Sequence, residues 1–298
     1  MNASARRILQ VACLVGIASA VQPGLAQKAS PPHNPFFAYC VGIGTEPSAA
    51  TLDAQVQLAP MLAELGYDGM ALVGIDGAEK LMAALEKHGQ KLTAVYSDVN
   101  VDPRSAGYDR RLKTLIPKLS GHGTVVWLTV SSRQYKASSD GGDDRAVELL
   151  RQLADIAQPL GVRISLYPHL GNYAQRIEDA VRIAKKVDRP NVGVTFTFCH
   201  FLALDDAKHI DRALELARPY LNMVTINGTD GYAAGNLGRW IKTLDEGSFD
   251  VSRVLVSLRK IGYQGPIGII AYGIRGDRHD ILARSMKGWK EICAKAGE

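Results

Sequence analysis

The hydrophobic positions along the chain fall into two alternating patterns. Short apolar runs of five to eight residues recur between longer stretches whose apolar residues repeat at helical spacing. The short runs are FAYCVG (Phe37–Gly42), GMALVG (Gly69–Gly74), LTAVYS (Leu92–Ser97), TVVWLTV (Thr124–Val130), RISLYP (Arg163–Pro168), NVGVTFTF (Asn191–Phe198), NMVTIN (Asn222–Asn227) and IGIIAY (Ile267–Tyr272). The amphipathic stretches include LDAQVQLAPMLAELG, DRAVELLRQLADIAQPLG and VSRVLVSLRKIG, each closed by a glycine suited to a helix C-cap. Strand and helix in regular succession require crossovers between parallel strands. Eight such units over roughly 250 residues predict an α/β fold with a single (β/α)8 barrel, a TIM barrel. The alternative, an open doubly wound sheet, would want a phosphate-binding glycine turn opening the first helix, and Gly42-Ile43-Gly44 is too short for one. Three phrases, ELGYDGM, QPLGVRISL and KIGYQGPIGI, each read as helix end, glycine cap and strand start at the stable end of the barrel.

Residues 1–26 carry a different pattern. Arg6 and Arg7, an apolar run from Ile8 to Val21 and the small-residue end Gly24-Leu25-Ala26 predict a signal peptide cleaved after Ala26, followed by a Pro-rich linker over 27–35 and the barrel domain over 36–298. The apolar run is short for a membrane span, so an uncleaved anchor is the lesser reading and no other membrane partner is expected. The protein is thus expected to be exported, to the periplasm or beyond. The three cysteines left after cleavage, Cys40, Cys199 and Cys293, form neither a disulfide framework nor a zinc pattern and read as buried apolar residues. Composition agrees with one globular domain, 46% hydrophobic and 22% charged over 298 residues. The net charge of +5 is dispersed, with no basic block to track a nucleic acid backbone.

In such a barrel the chemistry sits at the C-terminal ends of the strands, and strict alternation sorts inward from outward side chains. It points Ser165, Tyr167 and His169 to the axis, with Ile164 and Leu166 outward; likewise Trp127 and Thr129, Thr225 and Asn227, Ile270 and Tyr272. The predicted mouth therefore holds Tyr96, Asp98, Trp127, Thr129, Tyr167, His169, Thr197, His200, Thr225, Asn227 and Tyr272. Hydroxyls, amides and aromatic faces suit a neutral sugar, and the scarcity of carboxylates argues against a tightly held divalent metal. His169 and His200 follow adjacent strands, about 4.8 Å apart, and are the candidates for proton transfer, with Tyr167 beside them. Cys199 reads as core if its strand persists. The acidic run SDGGDDR (Ser139–Arg145) echoes a calcium loop without its spacing and reads as a loop capping the next helix.

The order GVRISLYPH, DRPNVGVTFTFCHFL, NGTDG and EGSFDVSRVLVSLRKIGYQGPIGI resembles the xylose isomerase-like TIM barrels, the superfamily of sugar and sugar-phosphate isomerases and epimerases that includes endonuclease IV. The resemblance implies a divalent metal on acidic and histidine residues ending strands five to eight. Those positions fall here at Tyr167, Thr197, near Thr225 and near Ile270, all departures. The histidines that in relatives tend to touch substrate match His200 and His169. The expectation is an exported isomerase or epimerase acting on a non-phosphorylated sugar or keto-sugar by proton transfer beside a carbonyl, without metal or other cofactor. A 3-keto-glycoside lyase or hydratase, a non-catalytic sugar binder, and a metal enzyme with ligands relocated to Asp98, His169 and His200 remain the alternatives.

Overall fold

The computed structural model describes residues 34–40, 52–231 and 240–297, all within the unit spanning 32–298. The signal segment, most of the linker and the Gly42-Ile43-Gly44 turn lie outside the described residues. Eight strands appear where the apolar runs predict them: β1 Phe36–Tyr39, β2 Gly69–Leu72, β3 Lys91–Asn100, β4 Val125–Ser131, β5 Arg163–Leu166, β6 Val192–Thr197, β7 Leu221–Ile226 and β8 Ile267–Ile270. Every neighbouring pair is parallel and β8 returns to β1, which closes the barrel.

The helices are α1 Leu52–Val56, α2 Leu58–Leu65, α3 Ala78–Glu86, α4 Leu112–Leu115, α5 Asp143–Ala157, α6 Ile177–Val187, α7 Phe198–Leu204, α8 Ile210–Ala217, α9 Ser252–Lys260 and α10 Arg278–Ala296. Two depart from the sequence pattern. The stretch from Leu52 to Gly66 is two helices, because Pro60 has no N–H for the Val56 carbonyl and its ring crowds that turn. The sixth apolar run ends as a strand at Thr197, and Phe198 already begins α7.

The glycine-closed helix ends share one geometry. Gly66, Gly161 and Gly262 have φ of 88°, 67° and 71°, a region that only glycine enters at little cost. In each, the next residue's N–H reaches the carbonyl five back: Tyr67 to Leu62 at 2.9 Å, Val162 to Ala157 at 3.1 Å and Tyr263 to Leu258 at 3.0 Å. This hydrogen bond turns the chain sharply from helix to strand.

Alternation divides the core in two. Ile164, Leu166, Val194, Phe196, Val224 and Ile226 face outward into the shell between strands and helices. Phe37, Tyr39, Trp127, Tyr167, Met223 and Ile270 fill the barrel interior. Trp127 is fully buried there, its ring 5.1 to 5.7 Å from those of Tyr167, Tyr39 and Phe37. Its Nε1–H donates to Thr195 Oγ1 at 2.7 Å, and Thr195 shares a 2.8 Å hydrogen bond with Ser165, so these three polar side chains of the interior satisfy one another.

Candidate functional site

A cleft with about 720 Å³ of free space, counting its open mouth, lies over the barrel interior. One side is formed by Tyr167 and His169 after β5 and by Cys199 and His200 in the first turn of α7. The other is formed by Ile270 and Tyr272 at the end of β8, Tyr39 of β1, Val73 after β2 and Ile241 in the segment after β7; Tyr96 of β3 lies between.

The early start of α7 decides the placement of His200. Had the strand persisted, His200 would share the outward face of Val194 and Phe196. The helical turn instead brings it into the cleft beside Cys199, which is buried in the interior core as the sequence predicts and also forms part of the cleft wall. Burial pushes its thiol up to about 12, which leaves it protonated and inert at neutral pH.

The two imidazoles lie with ring centroids 4.1 Å apart, and the main-chain N–H and carbonyl of Leu170 address one each. His169 Nδ1 is 2.9 Å from the Leu170 carbonyl oxygen. A carbonyl only accepts, so Nδ1 carries the proton and Nε2 keeps its lone pair. His200 Nδ1 accepts the Leu170 N–H at 3.4 Å, so in that ring the proton resides on Nε2. One residue, Leu170, through the N–H of one peptide and the carbonyl of the next, thereby fixes two neighbouring histidines in opposite tautomers, one a base and the other a donor. Burial lowers the pKa of His169, partly offset by the Leu170 carbonyl and the nearby Asp98. Burial holds His200 well below the ordinary histidine value, and neighbouring His169 lowers it further. Both rings are neutral at pH 7.

Burial raises the phenols of Tyr39 and Tyr167 well above their ordinary value, and that of Tyr96 to a lesser degree. They act as neutral hydrogen-bonding groups. Tyr272 is 48% exposed at the rim.

The other residues that alternation selects do not reach the cleft lining. Trp127 is sealed in the interior with its N–H committed to Thr195. Asn227 is fully buried, and its Nδ2 donates to the carbonyls of Gly228 at 2.9 Å and Trp240 at 3.1 Å. Thr197 and Thr225 pair in register across β6 and β7 and are buried. Thr129 Oγ1 donates to Asp98 Oδ1 at 2.6 Å, and Ser131 Oγ to Asp98 Oδ2 at 2.5 Å, so the one acidic group of the predicted mouth is held from the β4 side. Conversely, Tyr39, Val73 and Ile241 line the cleft without having been selected. The first belongs to a strand of four residues that is apolar on both faces, where alternation has no polar position to anchor it.

The acidic run after β4 proves to be an anchor. The Asp143 carboxylate, 1% exposed, accepts from Tyr173 Oη at 2.6 Å, Arg182 Nε at 2.9 Å and Lys186 Nζ at 2.8 Å. The α5 N-cap is Gly142, with no side-chain cap, so the capping role expected of the run is corrected. Burial alone would raise the Asp143 pKa, but these three donors bring it below the ordinary value. Tyr173 lies in the segment carrying His169, whose own N–H bonds the Ala174 carbonyl at 3.2 Å. The clasp therefore ties the His169 loop to α5 and α6.

A divalent metal fits these residues poorly. The positions to which the resemblance assigns ligands hold Tyr167, Thr197, Thr225 and Ile270. Among the described residues no three His, Cys, Asp or Glu side chains converge as a metal site requires, Asp98 with His169 and His200 included.

Comparison with known proteins agrees with the architecture. Inosose isomerase of Bacillus subtilis (strain 168) is 27% identical over 127 residues, which spans 42% of this chain and 45% of that protein. The solved structure of the IOLI protein with a zinc atom superposes with a TM-score of 0.66 at 18% identity, covering 88% of this chain and 98% of that one. The E. coli 3-keto-D-glucoside 4-epimerase superposes with a TM-score of 0.66 at 20% identity over 85% of this chain and all of the other. The sequence profile of the family described as "Xylose isomerase-like TIM barrel" matches residues 60–292. With that match over most of its length, and with the closed eight-stranded barrel beneath it, the chain belongs to the xylose isomerase-like TIM barrel family.

Proposed function

We propose that the protein is an isomerase or epimerase that moves a proton beside the carbonyl of a non-phosphorylated sugar or keto-sugar, using its histidine pair in place of a divalent metal. The observation that carries this reading is the pair of opposite tautomers set by the main-chain N–H and carbonyl of Leu170. His169 Nε2 takes the carbon-bound proton, and the electron pair moves to the carbonyl oxygen. The N–H of His200, with the hydroxyl of Tyr167, holds the enolate oxygen that forms. Return of the proton by His169 to the former carbonyl carbon, as the hydroxyl proton of the deprotonated carbon passes to the enolate oxygen, gives the isomer; protonation of the original carbon from the opposite face, by water entering through the open mouth while His169 releases its proton to solvent, gives the epimer.

A neutral donor stabilises an enolate less than a divalent cation does, so the reading requires a substrate whose proton is already acidified. A 3-keto-sugar meets that requirement, because its ketone activates the adjacent C–H. The inosose isomerase and the 3-keto-D-glucoside 4-epimerase similar to this chain are named for ketones of this kind. The described lining carries no Lys or Arg to hold a phosphate, in keeping with an unphosphorylated substrate and with an exported protein.

The test is exchange of the carbon-bound proton of 3-keto-glucose in deuterated water, followed by NMR. His169→Gln is expected to slow exchange by about 10²- to 10⁴-fold and His200→Gln by about 10²- to 10³-fold, with binding changed by much less. Full exchange in the double variant would eliminate the histidine mechanism. Tight binding by the wild-type protein without exchange would leave a sugar-binding protein instead.

A further inference from the structure

The two sides of the cleft differ in kind. Tyr167, His169 and His200 follow β5 and β6. Diametrically across the closed barrel, around β8, β1 and β2, the described lining is Ile270, Tyr272, Tyr39 and Val73, joined by Ile241. A free sugar carries hydroxyls on every edge, and its recognition needs amides and hydroxyls all round. Three donors suited to that work are committed below the cleft: Asn227 Nδ2 to main-chain carbonyls, Trp127 Nε1 to Thr195 and Thr129 Oγ1 to Asp98. Hydroxyls placed against Ile270, Val73 and Ile241 would be stripped of water with few partners, which is costly.

We propose that the far side of the cleft is a subsite for an apolar, preferably aromatic, substituent, so that the ligand is a glycoside whose sugar ring meets the histidines and whose aglycone packs against β8, β1 and β2. This rests on the reading of the site as a keto-sugar site and adds the class of substituent. Tyr272, half exposed at the rim, supplies an aromatic surface for such a group, and the aliphatic Ile270, Val73 and Ile241 that line the same side offer no partner to water.

The experiment compares methyl and phenyl 3-keto-β-D-glucosides on the wild-type protein, with binding read by calorimetry and proton exchange in deuterated water read by NMR. The phenyl compound is expected to bind at least tenfold more tightly. In the Tyr272→Ala and Val73→Ser variants, each at or near the surface of the cleft, that preference should shrink severalfold. A wild-type preference below threefold, or one that both variants leave intact, overturns the subsite. The two readouts separate the ideas: a phenyl preference without exchange keeps the subsite and removes the catalysis, and exchange with equal affinities does the reverse. Binding of neither compound defeats both.

Discussion

Lowering the pH from 7 to 5 should destabilise this protein through His200, and the amount follows from its burial. His200 is 6% exposed, with burial and His169 both depressing its pKa. In the unfolded chain it regains an ordinary value near 6.5. Below that pH the unfolded state takes up a proton that the folded state refuses, so the unfolded state binds more protons and stability falls as pH falls. The contribution is absent above about pH 7 and grows by about 1.4 kcal/mol per pH unit until the folded value is reached. Between pH 6.5 and 5 that amounts to as much as about 2 kcal/mol, or about 4–8 °C in melting temperature for a domain of this size. The assay is thermal unfolding of the wild type and His200→Asn at pH 7 and pH 5. The asparagine cannot titrate, and its carbonyl can still accept the Leu170 N–H. The wild type should lose several degrees more than the variant over that interval. Equal losses would mean that His200 takes up its proton in the folded state as readily as in the unfolded one, and the account of a neutral donor would fail.

Other consequences are as direct. Asp143→Ala, which leaves Arg182 with Asp179 as its one carboxylate partner, releases the half-exposed Lys186 and frees Tyr173, should cost about 1–3 kcal/mol in denaturant unfolding. Tyr173→Phe removes one donor to Asp143 and the acceptor of the Gly142 N–H; it should cost about 1–3 kcal/mol and loosen the His169 loop, seen as faster amide exchange over residues 168–176. Trp127→Phe should lower stability by about 1–3 kcal/mol while leaving ligand affinity nearly unchanged, since the ring lies in the interior and not in the cleft. Gly193→Ala should destabilise by about 1–3 kcal/mol or more, because a Cβ there meets the Tyr220 carbonyl across the strand pair.

The barrel was legible in the sequence because each strand is a distinct apolar run and each glycine-closed helix end has room only for a left-handed residue, as at Gly66, Gly161 and Gly262. Alternation also sorted Ser165 and Tyr167 from Ile164 and Leu166. It could not tell depth along the axis. Trp127 and Thr225 face inward as expected, yet lie in the filled interior and not at the mouth. Nor could it see where β6 turns into α7, because FTFCHFL is apolar at both periods, and that turn is what carries His200 into the cleft. Ile241 comes from an irregular segment with no periodicity to read. The tautomers of the two histidines depend on the main chain of Leu170, and no side-chain pattern records where its N–H and C=O point.

The central claim is proton transfer by two histidines without a metal. Its most direct test is the rate of C–H exchange of a 3-keto-glucoside in deuterated water by the wild-type protein, measured before and after exhaustive chelation, with the metal content of the same sample. The account predicts unchanged exchange in metal-free protein and no stimulation by added Mn²⁺, Mg²⁺ or Zn²⁺. Exchange that disappears on chelation and returns with one of these ions would contradict it.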